Sequence, residues 1–353
     1  MFLFKIRHFI IICLFLFVSC TNTSNKDKNK RTLQAFLIQY FFSIKTPDNG
    51  ELAAKIFYIN PALKSGSNLN LDFVTEATAA NVTSGKKKLI LVHGWDFTDR
   101  DNTSLSLSQQ KSRIVTDSWG DFIKSSTFDL IVATKQYDIY GFDYLTSNSI
   151  DVNGKRFRAK LDSLLGKETG TVVILGHSMG GVLSRFAVYE STRPTYLGRV
   201  FSTGAPFHGS PWASPQFQAD RGTLGNLASF LTGTNGGKDL AWDNFDSKIS
   251  GASNSKLTAL NQKVDRDDFF YAYYGSVLST QTTGGTGASS PGLYLSCPVL
   301  GSSFSPSDCI VPVSSASLSG NTLKQTTSLG QYDHFDVKLS TSTMQQTFYN
   351  DLP

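Results

Sequence analysis

The sequence predicts an α/β domain built on a mostly parallel sheet with helices on both faces. Short continuous apolar runs such as Leu89-Ile90-Leu91-Val92 and residues 171–175 suit strands buried on both sides. Helical patterns alternate with such runs from residue 86 onward. Between one run and the helical stretch 182–188 lies Gly176-His177-Ser178-Met179-Gly180, where a strand turns sharply into a helix and leaves a serine exposed at the turn. Glycine two residues before and after that serine avoids collision with the neighbouring strand and helix.

The chain of 353 residues reads as one main domain, because no break in composition divides residues 86 to the end. Its net charge is +5, yet residues 1–31 hold six Lys and Arg against the single Asp27, so the remainder is neutral. A neutral body has no electrostatic footprint for phosphate backbones, which argues against nucleic-acid binding.

Residues 1–20 read as a lipoprotein-type signal peptide: Lys5 and Arg7, the apolar stretch 9–18, then Ser19-Cys20. The apolar stretch is short for a membrane span. Leu16-Phe17-Val18-Ser19-Cys20 resembles a bacterial lipobox, with Phe17 in place of the usual leucine, so Cys20 is the expected lipidation site. Residues 21–32 have the composition of a solvated tether. The protein is therefore expected to be exported and anchored in the cell envelope, at a bacterial outer membrane or cell surface, with plain secretion or an uncleaved anchor as the alternatives. Cys13 leaves with the signal, so Cys297 and Cys309 remain in an oxidising compartment and are expected to pair as a disulfide.

The domain is expected over residues 33–353. The runs 33–44 and 52–59 flank Thr46-Pro47-Asp48-Asn49-Gly50 and suggest an antiparallel edge. Further on, residues 113–124 read as a helix, 137–144 as a strand, 155–166 as a helix, and 199–203 and 269–277 as strands. Residues 207–265 break this rhythm and are read as a cap or lid insertion. Its aromatics, including Trp212, Phe217, Phe230 and Trp242, suit either an acyl-chain groove or plain core.

A serine hydroxyl needs a base, usually a histidine oriented by a carboxylate. After an elbow of this kind the partners follow in the order serine, acid, histidine. Only His208 and His334 follow Ser178, and the one acid before His208 is Glu190, on the helix after the elbow. His334 is the expected base. Between Phe269 and His334 the carboxylates are Asp308 and Asp333, and Asp333 adjoins the histidine too closely to turn back to its ring. Asp265, Asp267 and Asp268 precede a strand and so fall at the opposite end of the sheet. Asp308 is the expected acid, with Asp220 as the alternative. An oxyanion would need preorganised donors, for which the backbone N–H groups of Met179 and Trp95 are the candidates. His93 is read as an anchor for the loop that carries Gly94 and Trp95.

Together, Leu91-Val92-His93-Gly94-Trp95, Gly176 to Gly181, Gly204-Ala205-Pro206-Phe207-His208-Gly209-Ser210, Asp308-Cys309-Ile310-Val311-Pro312 and Asp333-His334-Phe335-Asp336-Val337 resemble the α/β-hydrolase lipases, especially secreted bacterial triacylglycerol lipases and esterases. The resemblance covers roughly residues 86–345. It implies an α/β-hydrolase fold and hydrolysis of lipid carboxylic esters through an acyl-serine intermediate, with Ser178, Asp308 and His334 as the triad. It implies no organic cofactor. A structural calcium would enter only through Asp336, two residues after the histidine, and the second carboxylate expected some twenty residues before the acid is missing from residues 269–307. The implied partners are a lipid or ester substrate and, through the anchor, a membrane. An acyltransferase would use the same residues with another acceptor, and a binding or adhesion lipoprotein would keep the fold alone.

Overall fold

A computed structural model describes residues 54–66, 68–96, 99, 105–221, 233–280 and 296–353. The signal peptide, Cys20, the tether, the 33–44 run with the turn after it, and Phe230 lie outside the described residues.

The strands in chain order are β1 (Lys55–Ile59), β2 (Lys64–Ser65), β3 (Asn68–Leu69), β4 (Val74–Glu76), β5 (Lys87–Val92), β6 (Tyr137–Asp143), β7 (Val172–His177), β8 (Leu197–Thr203), β9 (Phe270–Gly275) and β10 (Gln325–Gly330). β2 and β3 form a small ribbon; the other eight form one sheet in the order β10-β9-β8-β7-β5-β6-β1-β4. β1 runs antiparallel to β6 and to β4, and every other neighbouring pair is parallel. This is an α/β-hydrolase fold. The antiparallel strand is thus β1, which lies between β6 and β4.

Alternation along the central strands divides the core in two. Ile90, Val92, Tyr140, Phe142, Val172, Ile174 and Val200 face one side, where helices Ile150–Leu165 and Met179–Tyr189 bury Phe157, Leu161, Val182 and Leu183 against them. Leu89, Leu91, Ile139, Val173, Leu175 and Phe201 face the other, covered by Ile114, Trp119, Phe122, Phe128 and Phe348. With apolar cover on both faces, no polar side is needed, which is why the strands read as unbroken apolar runs. Each large side chain so buried contributes about 1.5–3 kcal/mol.

Several elements differ from the sequence expectation for identifiable reasons. The helix expected from residue 155 begins at Ile150. Gly154 lies inside it and lets the helix approach the elbow helix: a Cβ on it would lie 2.5 Å from the Phe186 Cβ. The helix expected over 113–124 is interrupted at Trp119, leaving a widened turn over Arg113–Ser118 and a short helix at Gly120–Lys124. Strand β10, Gln-Thr-Thr-Ser-Leu-Gly, is a half-exposed edge without an apolar run. Helix Ser342–Asp351 buries only Met344, Gln345 and Phe348, so its sequence pattern is weak.

Candidate active site

Ser178 is the residue between β7 and helix Met179–Tyr189, and its backbone has φ 52° and ψ −126°. A non-glycine residue at positive φ is strained, and such strain persists only where the surroundings over-determine it. Here the Ser178 N–H donates to the Thr203 carbonyl (2.9 Å) and its own carbonyl accepts from Gly181 (3.0 Å). The two elbow glycines have no room for a side chain. A Cβ on Gly176 would fall 2.7 Å from the Gly180 backbone, and one on Gly180 would fall 2.4 Å from the His93 carbonyl oxygen.

The structure brings the three expected side chains together. His334 Nε2 lies 2.8 Å from Ser178 Oγ, and His334 Nδ1 lies 2.7 Å from Asp308 Oδ2. All three residues are buried. The carboxylate can only accept, so Nδ1 carries the hydrogen and Nε2 turns its lone pair to the serine. Asp308 is itself held: its Oδ1 accepts from the backbone N–H of Val311 (2.7 Å) and of Ile310 (3.1 Å), and the His334 N–H donates to its carbonyl (2.9 Å). The alternative acid, Asp220, is exposed at the end of helix Pro215–Asp220 and is not the partner of His334.

Cys309, next to Asp308, is joined to Cys297 by a disulfide. The same loop is gripped by the segment after β8: Ser210 Oγ donates to the Ile310 carbonyl (2.6 Å) and Trp212 Nε1 to the Cys309 carbonyl (3.3 Å). Trp212, Phe217 and Trp242 are buried against Phe304 and Leu300 as a core of their own. Of the two readings open for these rings, plain core is the one observed, with Trp242 and Phe304 meeting edge to face at 5.3 Å.

Helix Met179–Tyr189 starts directly after the serine, so the Met179 N–H belongs to the first turn, whose donors have no partner within the helix. Opposite it, Gly94 packs onto the elbow so closely that a Cβ would fall 2.9 Å from both the Ser178 Cβ and the His177 Nδ1. Trp95 follows at once. His93 anchors this loop: its Nδ1 is 2.8 Å from the Gly94 carbonyl oxygen, its ring stacks on Tyr144 at 4.4 Å, and the Tyr144 hydroxyl donates to its carbonyl (2.8 Å). Burial pushes the Tyr144 phenol well above its ordinary pKa, which keeps it a neutral donor.

His177 is a contributor that the sequence reading left without a role. Its Nε2 is 2.8 Å from the His334 carbonyl oxygen, so it ties the elbow to the main chain of the histidine loop. Burial, and then the neighbouring charge of His334, hold its pKa well below the usual histidine value. No motif signals this role, because the contact spans 157 positions of chain.

Asp336 is buried, and its N–H donates to the Asp333 carbonyl (3.1 Å). Its carboxylate acts on half-buried Lys338, as do Asp117, Asp121 and Asp333. Among the described residues no three His, Cys, Asp or Glu side chains converge as a group that could hold a metal ion. Asp267, at the far end of the sheet, instead forms a buried ion pair with Arg185 and accepts from the Tyr189 hydroxyl (3.0 Å).

No protein-family model matches the chain, and no curated protein matches it in sequence. Among solved structures it resembles bacterial lipases. The propeptide form of the Bacillus licheniformis lipase BlEst2 is 17% identical, with 77% of this chain and 52% of that one covered and a TM-score of 0.46. This chain therefore spans about half the length of that form. The mature form is 18% identical over 75% of this chain and 92% of that one, with a TM-score of 0.42. Lipase 1 from Pelosinus fermentans is 13% identical over 75% and 97%, with a TM-score of 0.44.

Proposed function

We propose that the protein hydrolyses carboxylic esters of lipids through an acyl-serine intermediate. The observation that carries this reading is the unbroken hydrogen-bonded line from Ser178 Oγ through His334 to Asp308, set on a strained turn. His334 takes the Ser178 proton as the oxygen attacks the ester carbon. It then hands that proton to the leaving alcohol, and in the second half it activates the water that releases the acid. Asp308 holds the imidazole in the productive tautomer and stabilises the imidazolium. The backbone N–H groups of Met179 and Trp95 are the donors for the oxyanion. The lipid part of the substrate rests on the motif resemblance, and the choice of water over another acceptor is part of the proposal.

Hydrolysis of p-nitrophenyl esters of increasing acyl length is expected in the wild type, with a loss of roughly a thousandfold or more in Ser178→Ala. Equal rates in the two proteins would remove the serine from the chemistry and favour a binding role. Adding alcohol acceptors to the same assay separates hydrolase from acyltransferase, since a transferase would return new ester rather than free acid. The proposal extends to location: export and acylation at Cys20 would keep the enzyme beside membrane substrates. Cell fractionation should find wild type with membranes and Cys20→Ser released, and identical partitioning would overturn the anchor.

A further inference from the structure

A buried polar network lies beside the Gly94–Trp95 loop, remote from the triad in sequence. Arg113 Nε donates to Asp143 Oδ1 (2.7 Å), one terminal nitrogen donates to the Tyr144 carbonyl (2.8 Å), and the other pairs with Asp99. The other oxygen of Asp99 accepts from the Thr146 N–H (2.6 Å) and lies 2.9 Å from the Thr146 hydroxyl. That hydroxyl in turn accepts from the Asp96 N–H (3.0 Å) and lies 2.9 Å from the Asp96 carbonyl oxygen. Asp99, Arg113, Asp143 and Thr146 are all buried. Burial by itself would lower the pKa of Arg113, but Asp143 and Asp99 outweigh it and drive it further up, so the charge is permanent. Such a network is costly to assemble and costly to break. Nothing in the triad uses it.

The loop that leaves β5 is pinned on both sides of Trp95. On the near side, His93 Nδ1 holds the Gly94 carbonyl. The only cis peptide bond among the described residues is Ser305-Pro306, so the Gly94–Trp95 peptide is trans and the Trp95 N–H points opposite to that carbonyl. On the far side, Thr146 holds both the N–H and the carbonyl of Asp96. The Trp95 N–H belongs to the plane that His93 holds, and Thr146 fixes the next plane through the Asp96 N–H, so rotation about the Trp95 Cα bonds is restrained from both ends. A preorganised donor is worth more than a mobile one, because it needs no reorganisation when charge develops.

We infer that Thr146, held in place by Asp99 and Arg113, is a positioning residue that aims the Trp95 N–H at the oxyanion formed when Ser178 adds to a carbonyl. This rests on the proposed serine-ester reaction and deepens it. Thr146 touches no reacting atom. It acts through Asp96, and its loss should therefore weaken binding of the tetrahedral state while leaving ground-state binding intact.

The test uses the full chain with Thr146→Val, which keeps the shape and removes the hydroxyl, and Thr146→Ser, which keeps the hydroxyl. Each is assayed on a soluble p-nitrophenyl ester and titrated with an alkyl trifluoromethyl ketone. Ser178 Oγ adds to the ketone carbon, the serine proton passes to His334 Nε2, and the carbonyl oxygen becomes the oxyanion. Thr146→Val should lower kcat by about 10–100-fold with KM within about twofold, and weaken the ketone by a similar factor. Thr146→Ser should stay within about threefold of wild type. A Thr146→Val protein with unchanged kcat and ketone affinity overturns the inference, as does one whose loss appears in KM alone. Should Thr146→Val fail to fold, Arg113→Lys replaces it, which retains charge but not the fork; normal ketone affinity in that protein would equally overturn the inference. A fluorophosphonate that labels wild-type Ser178 keeps this outcome separate from failure of the serine reaction, which would abolish labelling in every variant.

Discussion

His334 and Asp308 lie 2.7 Å apart, and so do His208 and Asp243. The side chains of both pairs are buried, and both histidines follow a strand at the carboxyl end of the sheet. They differ in what Nε2 meets. For His334 it is the Ser178 hydroxyl, which can surrender a proton. For His208 it is the Ser319 carbonyl oxygen at 2.8 Å, which can only accept, so that nitrogen carries a hydrogen and has no lone pair for a nucleophile. The His208 ring also stacks on Phe245 at 3.8 Å, and its carbonyl accepts from the Asp243 N–H (2.9 Å). One pair faces a group that can give up a proton, and the other ties loops together. A histidine–aspartate contact therefore says little about catalysis until the third partner is known.

The largest expected effect breaks the two pairs apart. His334→Gln should lower turnover by about ten-thousandfold or more, whereas folded His208→Gln should stay within about fivefold of wild type. Comparable losses in both would mean that His208 shapes the site. Stability should show the reverse order. Removing His208 leaves the Asp243 carboxylate and the Ser319 carbonyl short of a donor inside the protein, so His208→Gln should lower the unfolding free energy by about 2–4 kcal/mol. The cost of His334→Gln should be smaller, because Asp308 keeps two backbone donors. Urea denaturation of the two variants measures both.

A smaller effect involves His177, which braces the His334–Asp308 pair through the His334 carbonyl. Its folded pKa lies well below the usual value of about 6.5, so the unfolded chain binds the extra proton more readily. Stability from this group is present above about pH 6.5 and is lost as pH falls from there toward the folded value, at no more than about 1.4 kcal/mol per pH unit. The difference in unfolding free energy between pH 7.5 and pH 5.5 should therefore be smaller in His177→Gln than in wild type. Equal differences would mean that His177 takes up its proton without disturbing the fold.

The elbow, the central strands and the pairing of Cys297 with Cys309 were legible, because each depends on neighbours in the chain or on a short list of candidates. His334 and Asp308 were legible through their order after Ser178. The edge strand β10 and the last helix were not, because edge and surface elements bury too little to impose a pattern.

By itself the sequence determined a buried parallel sheet, a strained serine at its centre and the order of the groups that could serve it, since local sterics and apolar runs act over a few residues. Only the tertiary structure decided what each of those groups faces. It gave His334 a hydroxyl and His208 a carbonyl, turned Trp212, Phe217 and Trp242 into core, and joined Arg113, Asp99 and Thr146 to the Trp95 loop. Hydrogen bonds and ion pairs act over about 3 Å between residues far apart in the chain, and no spacing in the sequence encodes which acceptor a side chain will meet.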